Sequence, residues 1–240
     1  MNTYLSYYDK PLQQTAEASV IQVAQKGSKQ RIILDETLFY PGGGGQLPDR
    51  GRIIGENGIL TVEKAFLENG RIVHEGTISG TIADFDTVQV ELNWAHRLTG
   101  MKLHSAGHAL HEALLTIAKS TPVPMKAEHN RDPYIQYSGC FEDTDPLPLE
   151  KALNELIASN PKITMRQASL DEIKASCRFV PPNLPYNKPL RVVQIGLGEL
   201  VPCGGVHLME LGEAGKIKIT AIRHCADRVS TKIQYELSKD

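Results

Sequence analysis

The sequence predicts an α+β protein: a small β-barrel-like domain over residues 1–92, followed by an α/β domain over residues 93–240. Three observations carry this. Short runs rich in Val and Ile at 19–24, 31–34, 52–54, 60–65, 71–74 and 87–92 are separated by Gly, Asn and Asp turns, the pattern of a small sheet closed on itself. From Ala95 to about Lys119 the period becomes helical, because Leu103, Leu110, Leu114 and Ile117 follow one another at spacings of seven, four and three with no proline between them. Beyond it, helix and strand patterns alternate.

Within the long helix only Gly100 and Gly107 are weak points. A second helix is expected after Pro148, running through Leu149, Ala152, Leu153 and Leu156 and stopping at Asn160-Pro161. Strands are expected at 162–168, 190–195, 200–201, 216–222 and 230–237, with a short helix at 171–175. Residues 179–185, with Pro181, Pro182 and Pro185, read as an extended connector.

A chain of 240 residues can bury a genuine core, and 41% hydrophobic with 22% charged residues is the balance of a globular protein. No apolar run approaches the ~20 residues of a membrane span, and Met1-Asn2-Thr3-Tyr4-Leu5-Ser6 lacks signal-peptide character, so no membrane partner and a cytoplasmic address are expected. The formal net charge of −2 excludes tight indiscriminate nucleic-acid binding but leaves room for a local basic face. Four scattered cysteines in such a chain point away from a disulfide framework; Cys140, Cys177 and Cys225 read as small buried hydrophobes.

Chemistry concentrates in two pairs. His104-Ser105-Ala106-Gly107-His108 puts two imidazoles four residues apart on one helical face. Cys203-Gly204-Gly205-Val206-His207 brings a thiol and an imidazole together across a turn that two glycines permit. Either pair alone could be incidental; together, a thiolate and three imidazoles favour Zn²⁺ over Mg²⁺ or Ca²⁺.

These pairs resemble the HxxxH and CxxxH motifs of the alanyl-tRNA synthetase editing domain and its free-standing AlaX relatives, and the flanking Leu103, Ala109, Leu110 and Arg191-Val192-Val193-Gln194-Ile195 extend the match. Phe39-Tyr40-Pro41-Gly42-Gly43-Gly44-Gly45-Gln46-Leu47-Pro48-Asp49-Arg50-Gly51 resembles the same family's glycine-rich FYPxGGGQPxDxG element. A phosphate-binding loop is excluded there, since no Lys-Ser or Lys-Thr follows. Two departures bear on amino-acid specificity. Val206 stands where the family commonly has Thr, and the glycine expected after Lys126 is absent, although His129 and residues 133–137 still resemble the free-standing members.

The resemblance implies a zinc-dependent hydrolase, not a ligase, that deacylates Ser- or Gly-tRNA(Ala); no upstream activation domain is expected and no stable protein partner is inferred. Its metal ligands would be His104, His108, Cys203 and His207. Gly44, Gly45, Gln46 and His129 would contact the aminoacyl end of the tRNA(Ala) acceptor. Lys102, Lys126, Arg131, Lys216, Lys218 and Arg223 are candidates for its phosphates, with Arg228 and Lys232 also available. Zinc can polarise an ester carbonyl or lower the pKa of an attacking water, yet four protein ligands would fill a tetrahedral shell. No side chain presents itself as general base; His111, seven residues from His104, is a possible supporting group. A zinc hydrolase of another small ester or amide, and a zinc-stabilised tRNA-binding module without catalysis, are the alternatives.

Overall fold

Six strands close the first barrel without leaving a free edge: β2 (Thr15–Lys26), β3 (Lys29–Leu34), β5 (Gly51–Ile54), β6 (Gly58–Glu68), β7 (Arg71–Gly80) and β8 (Thr87–Leu92), hydrogen-bonded in the order β2-β3-β7-β6-β5-β8. The computed structural model describes residues 3–118, 122–141, 144–180, 190–225 and 229–238. The remaining short elements of this part are β1 (Tyr4–Leu5), α1 (Ser6–Asp9) and β4 (Glu36–Thr37), which pairs in parallel with β1.

Alternation explains the closure. In β8, Val88, Val90 and Leu92 point inward while Thr87, Gln89 and Glu91 point away. The inward residues meet Val20, Ile32, Leu34, Phe39, Ile53, Leu60, Val62 and Ile72 in one core. Asn69 and Gly70 both take positive φ, 51° and 76°, as the tight β6–β7 hairpin requires. Polar groups are buried here as well, each with partners. His74 lies between the Ile32 carbonyl, 2.9 Å from Nδ1, and the Thr37 hydroxyl, 2.7 Å from Nε2. Arg97, 1% exposed, forks onto the Asp49 carboxylate and donates to the Leu38 carbonyl. Asp49 in turn accepts from the Tyr40 amide at 2.7 Å.

The chain divides into two compact units, 1–43 with 47–100 and 44–46 with 101–240; the long helix α2 (Trp94–Ile117) contributes to both, and Gly44–Gln46 belongs to the second. The second unit holds a four-stranded antiparallel sheet ordered β14 (Ile217–His224), β15 (Ser230–Leu237), β10 (Tyr134–Ser138), β9 (Pro124–Glu128). A second sheet joins β11 (Ile163–Ala168), β12 (Leu190–Ile195) and β13 (Val201–Pro202). Helix α3 (Pro146–Ala158) buries Leu149, Leu153 and Ile157. Along the outer side of β14, Asn154 bonds both the N–H and the carbonyl of Ile217, at 2.9 and 2.7 Å, and Glu150 accepts from the Ile219 amide. Helix α4 (Leu170–Ser176) is capped by Ser169, and a 3-10 turn spans Leu211–Ala214.

Several boundaries move. Helix α2 runs Trp94–Ile117 rather than 95–119, with Lys119 outside the described residues. Helix α3 starts at Pro146, not after Pro148, because the Asp145 carboxylate caps the Leu147 amide at 3.0 Å. Of the expected connector, Phe179 and Val180 carry no regular structure and 181–185 lie outside the described residues. The reading of three cysteines as buried is corrected. Cys140 follows the end of β10 and is exposed, while Cys177 and Cys225 sit at element ends and are half-buried.

Candidate metal centre

His104, His108, Cys203 and His207 each offer one donor atom, and these four atoms lie within 4.8 Å of one another. Successive turns of α2 present the first two. The loop after β13 presents the others, with Cys203 Sγ 3.5 Å from Nε2 of His104 and 3.3 Å from Nε2 of His207. The imidazole rings of His104 and His207 lie 4.3 Å apart, and those of His108 and His207 5.0 Å apart.

Glycine makes this packing possible. A Cβ on Gly205 would lie 2.1 Å from Cε1 of His104, so the loop backbone rests directly on that ring. A Cβ on Gly107 would lie 2.4 Å from Cε1 of His129, whose ring stacks on His104 at 4.4 Å. The apparent weak point of the helix is therefore the space His129 occupies.

Surrounding groups orient the rings. Gln46, 4% exposed, places Oε1 3.0 Å from Nδ1 of His104 and 3.0 Å from the Val206 amide. An amide oxygen only accepts, so Nδ1 of His104 carries the proton and Nε2 is free to bind a metal. The Ser105 hydroxyl lies 3.4 Å from Nδ1 of His207 and accepts from the Leu208 amide at 3.1 Å, steadying the second ring in the same way. Tyr235 donates to the Leu103 carbonyl and lies 2.6 Å from Nδ1 of His129. Sequence reasoning did not single out Ser105 or Tyr235; Ser105, lying inside the HSAGH run, was the one legible there.

Electrostatics suits a cation. Burial, reinforced by the neighbouring histidines and Arg191, holds His104 and His207 well below the ordinary imidazole value. Burial and His111 lower His108 to about 4. All three rings are thus neutral, the form that ligates. Burial pushes the Cys203 thiol up to about 11, against the opposing pull of the Gly205 amide and Arg191. A half-buried thiol facing three neutral imidazoles, with Nε2 of His104 left free by its tautomer, fits a soft divalent ion such as zinc.

Gly44, Gly45, Gln46 and His129 cluster with this centre. A Cβ on Gly44 would lie 3.9 Å from His104; Gly45 has φ +82° and packs against the Ala127 carbonyl, and its own carbonyl accepts from the His129 amide at 2.8 Å. Burial lowers His129 to about 3. His111 stands outside the donor group: it stacks on Tyr137 at 5.7 Å, and its Nε2 is 3.8 Å from Glu199. Lys102 is half-buried on α2. Lys126, Arg131, Lys216, Lys218 and Arg223 are exposed on or beside β9 and β14, and Arg228 lies outside the described residues.

A family model described as tRNA synthetases class II (A) matches residues 3–96. The chain is 26% identical over 216 residues to alanyl-tRNA editing protein AlaX-L of Pyrococcus horikoshii, covering 89% of this chain and 53% of that protein. It is 31% identical over 209 residues to the alanine–tRNA ligase of Clostridioides difficile, covering 83% of this chain and 23% of the ligase. With the corresponding ligase of Halalkalibacterium halodurans it shares 30% over 233 residues, 92% of this chain and 26% of that one. It spans about half the length of AlaX-L and about a quarter of these ligases. The chain is therefore a homologue of the alanyl-tRNA editing protein AlaX-L, with a β-barrel near its amino terminus and a His–Cys group that could hold a metal ion.

Proposed function

We propose that this chain is a trans-editing hydrolase that deacylates tRNA(Ala) wrongly charged with serine or glycine, at a zinc site formed by His104, His108, Cys203 and His207. The observation that carries the reading is the four-donor cluster itself, found in a homologue of AlaX-L. Hydrolysis, not ligation, is the proposed reaction, and the cytoplasm its place. No described helix is long and apolar enough to cross a membrane. Residues 93–240 would carry the chemistry and 1–92 the barrel.

Zinc bound there would supply Lewis-acid polarisation of the ester carbonyl. The protein's part is orientation: Gln46 holds the His104 ring, Ser105 the His207 ring, and the Gly45 carbonyl ties the backbone of His129 beside them. Gly44, Gly45, Gln46 and His129 would receive the aminoacyl end. Val206 is buried and offers no hydroxyl at its position in the CGGVH loop. Lys102, Lys126, Arg131, Lys216, Lys218 and Arg223 are the proposed phosphate contacts.

Four protein donors complete a tetrahedron, an observation that also favours a second reading, a zinc-stabilised tRNA-binding module. Deacylation assays on Ser-, Gly- and Ala-tRNA(Ala) separate the two, using metal-loaded protein, chelator-stripped protein and Cys203→Ala, with elemental analysis alongside. We expect zinc in the native protein, loss of the mischarged esters only when metal is present, and survival of Ala-tRNA(Ala). Folded, loaded protein that binds tRNA but leaves the esters intact would establish the module instead. Equal cleavage of free serine esters would remove the tRNA from the function.

A further inference from the structure

The outer face of the β14-β15-β10-β9 sheet carries its charge in register. Lys126 pairs with Gln136, Gln136 with Lys232, and Lys232 with Arg223, so one line across four strands presents three cations. Directly opposed residues of an antiparallel sheet share a face. At about 4.8 Å per strand the line is about 14 Å long. The neighbouring line is Glu128, Tyr134, Gln234 and Ala221, and beyond it Lys218 opposes Glu236. The alternate residues Ile135, Ile233, Tyr137 and Tyr235 are buried, so the charged face points away from the core.

We propose that this face docks the sugar–phosphate backbone of an RNA strand. It carries four cations, Lys126, Lys218, Arg223 and Lys232, against two carboxylates, Glu128 and Glu236, in a chain whose formal charge is −2. The cations are also held in place. The Lys232 ammonium sits 3.7 Å from the Tyr134 ring centroid and that of Lys126 at 5.9 Å, so the ring fixes two long side chains that would otherwise lose rotamer freedom on binding. Lys126 also pairs with Glu128 at 3.5 Å, whereas Arg223 has no ion pair among the described residues. Gln136 and Gln234 offer amides between the charges. A line of cations and amides with no large aliphatic side chain suits phosphodiesters and gives a bilayer nothing to anchor. With the editing reading, on which the choice of tRNA rests, this face adds Lys232 and Tyr134 to the proposed tRNA contacts.

The test is binding of uncharged tRNA(Ala) across a salt series by wild type, by the triple variant Lys126→Gln, Arg223→Gln, Lys232→Gln, and by Lys151→Gln on α3 as control. We expect the triple variant to bind about tenfold or more weakly and its log-affinity against log-salt slope to fall by about 2 to 3, one per lost phosphate contact. Melting temperature and metal content should stay at wild-type values, and Arg223→Lys should retain most of the affinity. A folded triple variant with unchanged affinity and slope overturns the proposal, as does wild-type protein that binds anionic-lipid vesicles in preference to tRNA. The editing reading fails separately: wild type that binds tRNA through this face without deacylating it loses the enzyme and keeps the surface.

Discussion

The Oε1 atom of Gln46 accepts from Nδ1 of His104 and from the Val206 amide, each at 3.0 Å, so one side-chain oxygen ties the HSAGH helix to the CGGVH loop. Gln46→Leu removes that acceptor and frees the His104 ring to turn or change tautomer. Competition with a chromophoric chelator should show metal held about 10- to 100-fold less tightly. Gln46→Glu, which keeps an oxygen in place, should restore most of the loss. Unaltered metal competition in a folded Gln46→Leu protein would show that His104 needs no such support.

Gly107→Ala sets two effects against each other. Alanine in a helix interior gains about 1 kcal/mol over glycine. Its Cβ, however, would sit 2.4 Å from Cε1 of His129 and 2.9 Å from the Tyr235 hydroxyl. We expect displacement of His129 to win, giving a lower melting temperature and weaker metal retention; a more stable protein with intact metal would mean that His129 can move freely. Gly205→Ala, with its Cβ 2.1 Å from Cε1 of His104, should release metal outright.

Asp49 supports the barrel rather than the metal centre. Its carboxylate is buried with the Arg97 guanidinium and also holds the Tyr40 amide. Asp49→Ala leaves an unpaired buried cation, and urea unfolding should register a loss of about 3–5 kcal/mol. Removing Arg97 as well should cost less than the two single changes added together. Strict additivity would show the pair uncoupled.

His74 gives the barrel an acid limit. Burial lowers its value from 6.5 to about 4, partly offset by the Ile32 carbonyl. The folded chain therefore prefers the neutral ring, and its contribution is complete above pH 6.5 and is lost as pH falls towards about 4. The loss is on the order of 3 kcal/mol, from about 1.4 kcal/mol per pKa unit. An NMR titration of the ring should show no protonation until pH nears 4, and a midpoint at the ordinary value would refute the linkage.

Local pattern made much of this legible. The strand at 87–92 falls where Val88, Val90 and Leu92 alternate with polar residues and that at 230–237 where Ile233, Tyr235 and Leu237 do, and the two donor pairs were readable because helical spacing and a glycine turn act over four residues. β9 escaped because Pro124-Met125-Lys126-Ala127-Glu128 holds no β-branched or aromatic residue, and β10 because five residues between Pro133 and Gly139 give too little signal. Asp49 and Gln46 sat in a recognised motif, but their partners lie 48 and 58 residues away, beyond what spacing encodes. The in-register cations were likewise invisible as a group, since pairing of β9, β10, β15 and β14 joins positions about a hundred residues apart.

On the rim of the four-stranded sheet, Asn154 meets the N–H and the carbonyl of Ile217 as a neighbouring strand would, and Glu150 takes the next outward amide. Helix α3 therefore occupies the place where another molecule could add a strand. Asn154→Leu, which keeps the bulk but offers no amide, would leave Ile217 open to pairing, and light scattering should detect concentration-dependent self-association before any change in the melt. Two polar side chains on one helix thus act as a guard against polymerisation.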